Sequence, residues 1–175
     1  MFIDVDDFSK ISDGFGLAVG DEVVQQFGQF LQEFSSEHVL VSHFNADLYC
    51  IGIFEPMGKY SVENIYQAVR ERTKLPFRLS NGQDVDISVS VGVAEFPEAA
   101  QNTLELINCA EIVMFKAKKR GKDSMQYFDA SILKDFLHNV AIETKLKEAV
   151  FAQNFTLNFQ PQYFTEHGKL RGMEA

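Results

Sequence analysis

Between Gly20 and Phe34, apolar residues fall at Val23, Val24, Phe27, Phe30, Leu31 and Phe34, the spacing of one helical face. Gly20-Asp21 is the expected start of that helix, with Asp21 and Glu22 in its first turn. Phe2-Ile3-Asp4-Val5-Asp6 reads as a short strand at the head of the chain, so native residues are expected upstream of it. His38–Phe44 and Leu48–Phe54 are two β-type runs around Asn45-Ala46-Asp47, which predicts a hairpin with a short turn. Ser61–Leu75 predicts a helix that Pro76 ends. Asp84–Ala94 alternates, with Val85, Ile87, Val89, Val91 and Val93 on one face and Asp84, Asp86, Ser88 and Ser90 on the other, and predicts one strand. Asn102–Lys119 predicts a helix with Leu106, Ala110, Val113, Met114 and Ala117 on one face, stopped by Gly121, and Ser124–Phe128 closes as a short strand. The order β-α-β-β-α-β-α-β predicts an α/β fold of the α+β kind, because a central hairpin forbids an all-parallel sheet.

From Ala130 the pattern changes. Ile132–Phe151 predicts a long amphipathic helix, and Phe155–Phe164 and Lys169–Glu174 read as strands around Glu166-His167-Gly168. The expected organisation is a domain over 1–129, a linker helix over 130–153, and the first hairpin of a second domain over 154–175, cut off at Ala175.

Composition narrows the function. The chain has 175 residues with 46% hydrophobic and 23% charged, which suits a globular core and excludes disorder. With 17 Phe and no Trp, that core is expected to be Phe-rich. Its longest apolar-looking stretch, Leu48–Phe54, is far short of the ~20 residues a membrane helix needs, so no membrane contact is expected. Asp4, Asp6 and Asp7 stand where a secretory signal would be basic, so a cytoplasmic location is expected, with membrane attachment of a longer parent left open. The net charge of −9 argues against nucleic acid as a partner. That charge is uneven. Residues 1–22 hold six acids and one base, Lys10, whereas Lys116–Lys122 holds five basic residues. Carboxylates that hold a cation beside lysines that hold phosphate would look like this, as would ordinary charge placement at helix ends. Cys50 and Cys109 lie among apolar neighbours without disulfide or zinc spacing and are read as core thiols. His38, His43, His138 and His167 show no metal spacing and are read as structural or surface groups.

Four blocks carry a resemblance. Asp4-Val5-Asp6-Asp7-Phe8-Ser9-Lys10-Ile11-Ser12-Asp13, running on to Gly20-Asp21, resembles the DxDxFKxxNDxxGHxxGD opening of GGDEF domains, the diguanylate cyclases. The turn that names the family falls at Asn45-Ala46-Asp47-Leu48-Tyr49, its SxG strand at Ile87–Ala94, and its AK-rich helix end at Ala110–Asp123. In the tail, Asn158-Phe159-Gln160-Pro161-Gln162, Gly168 and Gly172-Met173-Glu174-Ala175 resemble the start of an EAL phosphodiesterase domain. The resemblance implies a GGDEF, nucleotidyl-cyclase-like fold with a five-stranded central sheet flanked by helices, from a GGDEF–EAL tandem protein of cyclic di-GMP signalling.

It also implies a site. Members join two GTP molecules with the help of Mg²⁺, so GTP and Mg²⁺ are the implied ligands. Carried over by motif, Asp4 and Asp47 are the metal ligands, Lys118 and Lys122 the phosphate cations, and Ser12 and Asp21 the guanine contacts. Glu174 would be a metal ligand of the EAL domain in the parent. Several positions depart from the family. Asn45-Ala46 replaces Gly-Gly, Leu48 replaces a metal-binding Glu, Ser9 replaces Lys, Ser12 replaces Asn, and Leu17 replaces His. Lys10 comes one position late and would point away from the site if that segment were extended. Ala46 would be strained if its φ were positive. Ser36-Glu37-His38-Val39 stands where the family's inhibitory product site has RxxD, so that site is expected to be absent. The expected function is a catalytically impaired GGDEF domain that regulates its own EAL domain, with GTP–Mg²⁺ as a candidate ligand and a homodimer as a candidate assembly. The alternatives are a weak diguanylate cyclase and a ligand-free structural or dimerisation module.

Overall fold

The computed structural model describes residues 1–54 and 58–174, so Ala175 of the tail motif lies outside the described residues. The chain forms two compact units, Met1–Lys134 and Asp135–Ala175.

The first unit is built on a five-stranded sheet in the order β2-β3-β1-β6-β7. These strands are β1 (Phe2–Val5), β2 (Val39–Asn45), β3 (Leu48–Ile53), β6 (Val89–Val93) and β7 (Ser124–Tyr127). Three pairings are antiparallel, and the last, β6 with β7, is parallel. Among the described residues four α-helices lie wholly within it: α1 (Phe8–Phe15), α2 (Leu17–Gln32), α3 (Val62–Thr73) and α4 (Thr103–Lys119). Side chains alternate across a strand, so each strand serves two faces. Ile3, Val5, Tyr49, Ile51, Val89, Val91 and Val93 join Val23, Phe27, Leu31, Ile65 and Val69 in the main core. On the other face Phe2 meets Ala110 and Met114, with Leu48 and Cys50 packed against them. Two caps set helix starts: Ser61 accepts the Asn64 amide for α3, and Asn102 accepts the Glu105 amide for α4.

Several expectations change. Residues 8–15, left unassigned by periodicity, are helix α1, so Lys10 is helical rather than extended and pairs with Asp7 at 3.1 Å. Helix α2 starts at Leu17, and Gly20, expected at its start, is inside it and buried. A Cβ there would sit 2.5 Å from the Ser12 hydroxyl, so the absence of a side chain lets α1 lie close. The predicted strand Asp84–Ala94 is split. Its first two residues form β5 (Asp84–Val85), which pairs with β4 (Phe77–Arg78), and the ladder resumes at Val89. The alternation itself holds, since Val85, Ile87, Val89, Val91 and Val93 are all buried, but Ser90 on the other face is buried too. Of the two thiols, Cys109 is buried and Cys50 half-buried.

The Tyr49 hydroxyl donates to the Val24 carbonyl of α2 at 2.6 Å, and its ring lies edge-on to Phe27. Burial, then the nearby Asp47 charge, push its phenol up to about 12. Tyr49→Phe is expected to lower stability by about 1 kcal/mol, the net worth of one hydrogen bond, read from the urea midpoint.

In the second unit, β8 (Gln160–Tyr163) and β9 (Leu170–Glu174) form an antiparallel hairpin, reached by α5 (Ala130–Phe151). Glu174 is exposed on β9 and accepts a hydrogen bond from Gln162 at 3.2 Å. No described helix is long and apolar enough to cross a membrane.

Candidate functional site

The end of β1, the start of α1, the β2–β3 turn and the end of α4 meet around a charged hollow of about 620 Å³. Asp7, Ser9, Ser12, Asp47, Phe115, Lys118 and Lys122 line it. Asp4, only 8% exposed, reaches it through an ion pair with the Lys118 ammonium. Lys122 pairs with Asp7 at 2.7 Å. Each lysine of the proposed phosphate pair is thus held by a carboxylate of the β1 end. Asp7, at φ 54, turns the chain from β1 into α1. The Lys122 and Lys10 hydrogen bonds hold its carboxyl below the usual range.

A second hollow of about 710 Å³ adjoins it, and Phe8 lines both. This one is largely apolar, bounded by Val24, Gly28, Val41 and Tyr49, with Asp21, Gln25 and Gln29 as polar groups and Ala46 at the turn. Ser12 and Asp21, inferred as a guanine-contacting pair, therefore line different hollows.

The turn between them is held from two sides. The Val5 amide donates to the Asp47 carbonyl at 3.1 Å. His43 stacks on Tyr49, centroids 4.7 Å apart, and its Nε2 bonds the Ala46 carbonyl at 2.7 Å. Ala46 has φ 32, a left-handed conformation that costs a non-glycine residue about 1 kcal/mol or more. Leu48, at the family's glutamate position, is paired directly with Asp4 across β1 and β3. Its side chain packs against the Phe2, Ala110 and Met114 cluster.

Sequence reasoning missed Asp6. Its carboxylate is buried and accepts from Ser88 Oγ at 2.7 Å, Ser90 Oγ at 2.6 Å and the Asp123 amide at 3.0 Å. Two serines on the alternate face of a valine strand, opposite an acidic strand end, were the available signal.

Burial raises the Asp4 carboxyl above its ordinary value; the Lys118 hydrogen bond opposes this, and the Asp47 charge adds to the rise. The folded chain therefore binds this proton more tightly than the unfolded chain. Asp4 contributes stability at low pH and loses that contribution as pH rises from 3.8 through its raised value. Lys118→Met removes the opposing cation, so the Asp4 carboxyl is expected to titrate higher still by carbon-detected NMR.

The family described as "Diguanylate cyclase, GGDEF domain" matches residues 1–124. The chain belongs to the GGDEF family. The GGDEF domain of TpbB (YfiN) from Pseudomonas aeruginosa, a solved structure, superposes with a TM-score of 0.72 at 26% identity, covering 78% of this chain and 79% of that one. Signaling protein YkoW of Bacillus subtilis is 28% identical over 99% of this chain and 22% of its own length. Cyclic di-GMP phosphodiesterase NbdA of Pseudomonas aeruginosa is 23% identical over 100% of this chain and 22% of its own length. The chain thus spans about a fifth of these two relatives. The fold and the cyclic di-GMP signalling family of this GGDEF domain are those the motifs implied.

A cation in this GGDEF site would find few donors. Among the described residues no group of three His, Cys, Asp or Glu side chains could hold a metal ion. Asp4 and Asp47 lie close enough for one charge to act on the other. Two carboxylates suit Mg²⁺ when phosphate oxygens and water complete its six positions, so the residues fit a nucleotide-borne cation rather than a free one.

Proposed function

We propose that residues 1–129 form a catalytically impaired GGDEF domain that holds GTP with Mg²⁺ without condensing it, and that regulates an EAL domain beginning near residue 154. The observation that carries this reading is Leu48. At the position paired with Asp4, an apolar side chain is built into the Phe2–Met114 cluster. It can neither bind a cation nor take a proton, so the site keeps two carboxylates where turnover calls for three.

The two hollows suit a nucleotide. Lys118 and Lys122 would turn from their carboxylate partners to the triphosphate, which frees Asp4 beside Asp47 for Mg²⁺. The aromatic and aliphatic walls beside Asp21 offer a base both a stacking surface and one hydrogen-bonding carboxylate. When bound, Mg²⁺ would neutralise phosphate charge. The tail supports the second-domain reading, since NbdA, a phosphodiesterase, matches through residues 130–175. A homodimer and a cytoplasmic setting complete the proposal.

The test is incubation of residues 1–175 with GTP and Mg²⁺, with product analysis and calorimetry in parallel. The expected outcome is binding that Asp47→Ala weakens about tenfold, as loss of a charged partner would, with no cyclic di-GMP. Cyclic di-GMP that disappears in Asp47→Ala would replace this reading with the weak cyclase. No binding at millimolar GTP would leave the ligand-free module.

A further inference from the structure

Lys118 and Lys122 are one helical turn apart in sequence but are placed by different means. Lys118 belongs to α4, and its position follows from the helix. Lys122 lies beyond the helix end, in a loop of three consecutive left-handed residues: Gly121 at φ 130, Lys122 at φ 64 and Asp123 at φ 41. Two of them carry side chains, and non-glycine residues keep this conformation only when their surroundings enforce it. One tie is the Lys122 amide, which donates to the Ala117 carbonyl at 3.2 Å and closes the helix end. The other is the Asp123 amide, which donates to Asp6 Oδ2 at 3.0 Å.

Asp6 is 5% exposed, and among the described residues its carboxylate accepts from two hydroxyls and one backbone amide and from no cation. Burying a carboxylate in this way is costly unless every oxygen is satisfied. Ser88 and Ser90 fasten it to the strand beside β1, and Ser90 is fully buried. The remaining bond crosses to the loop. A rigid strand end thereby fixes the residue after Lys122, and the Lys122 ammonium emerges over Asp7 and the charged hollow.

We propose that Asp6 is a positioning residue. It holds the left-handed loop 121–123 through the Asp123 amide and so sets where the Lys122 ammonium meets the phosphates of a nucleotide. The binding part of this inference rests on the nucleotide reading above, whereas the loop part does not.

The experiment uses the full chain with Asp6→Ala, Asp6→Asn, Lys122→Ala and the Asp6→Ala/Lys122→Ala pair. Amide hydrogen exchange at residues 122 and 123 is read by NMR, and Mg²⁺–GTP affinity by calorimetry over a range of salt. Asp6→Ala is expected to speed exchange at 122 and 123 about tenfold or more, as loss of a charge-assisted hydrogen bond would, while amides of β1 and β3 keep their protection. Affinity and its salt dependence should fall as in Lys122→Ala, and the double variant should be no weaker than Lys122→Ala alone. Asp6→Asn retains an acceptor for the Asp123 amide and should stay close to the parent in both readouts. Unchanged exchange at 122–123, or losses that add in the double variant, would overturn the proposal. A parent chain that binds no Mg²⁺–GTP would defeat the nucleotide reading, with the exchange data still deciding the role of Asp6 in the loop. If Asp6→Ala does not fold, Asp6→Ser keeps a partner for Ser88 and Ser90 but is too short to reach the Asp123 amide, and carries the same test.

Discussion

Gly92→Ala is expected to lower folding stability by about 3 kcal/mol or more, at the upper end for one added methyl group in a packed core. Gly92 lies in β6, paired with Phe2 of β1 and Gln126 of β7, and is buried where α4 crosses the sheet. A Cβ there would meet the Ala110 carbonyl oxygen at 2.1 Å, the Met114 nitrogen at 2.3 Å and the Met114 Cβ at 2.7 Å. Two of these are backbone atoms of α4, so no rotamer change relieves the clash. The helix would have to move away from the sheet, which would open the contact of Phe2 with Ala110 and Met114 and draw Lys118 from Asp4. Stability and the charged hollow should therefore fail together. Urea denaturation checks the first and NMR titration of the Asp4 carboxyl the second. Gly14→Ala is the control. It lies in α1 with nothing within 4 Å of an added Cβ, and should be neutral or gain up to ~1 kcal/mol from helix propensity. A Gly92→Ala protein as stable as the parent would show that α4 does not press on β6.

The grouping of the candidate site residues was easier to read than the geometry around them. Asp4, Asp47, Lys118 and Lys122 stand at motif spacings, and the fold brings all four to one place. Helix α1 escaped periodicity because it has only eight residues, with Ser9, Ser12, Asp13 and Gly14 all weak helix formers. Phe8, Ile11 and Phe15 mark its apolar side, but three positions are too few to tell a helix from a loop. At Asp84–Ala94 the valines announced which way they face and nothing about their partners, because period-two alternation carries no information on pairing. Val85 pairs with Phe77, Val89 pairs with Val5, and the residues between them leave the ladder. Asp6 was hidden for a related reason. Its partners Ser88 and Ser90 lie 82 and 84 residues away, and only the register of β1 against β6 brings them together.

Leu48→Glu is expected to exchange folding stability for affinity toward a divalent cation. Leu48 is half-buried against Phe2, Ala110 and Met114, so replacing it removes apolar contact worth about 2 kcal/mol. It also sets a third carboxylate beside Asp4 and Asp47, at the position directly opposed to Asp4, since directly opposed residues on one face keep their Cβ atoms about 5 Å apart. Asp4 is already pushed up by burial and by Asp47, so without a cation the added charge raises it further and deepens the loss. On the proposed reading, Mg²⁺ with GTP would reverse the sign of that interaction, because Asp4, Asp47 and the new glutamate would then share a positive charge. In Mg²⁺-free buffer the urea midpoint of Leu48→Glu should fall. Mg²⁺–GTP at a hundredfold excess over the Kd of Leu48→Glu should restore about 2.7 kcal/mol, and at that same concentration the more weakly binding parent should gain less. Adding Asp4→Asn to Leu48→Glu should abolish the recovery while leaving the loss. Leu48→Glu that is destabilised and gains nothing from Mg²⁺–GTP would mean that Leu48 is core alone, and that Asp4 and Asp47 do not share a cation. Recovery without cyclic di-GMP would separate the two defects of the turn: Leu48 would account for weak metal binding, and the strained backbone at Ala46 would become the next barrier to turnover.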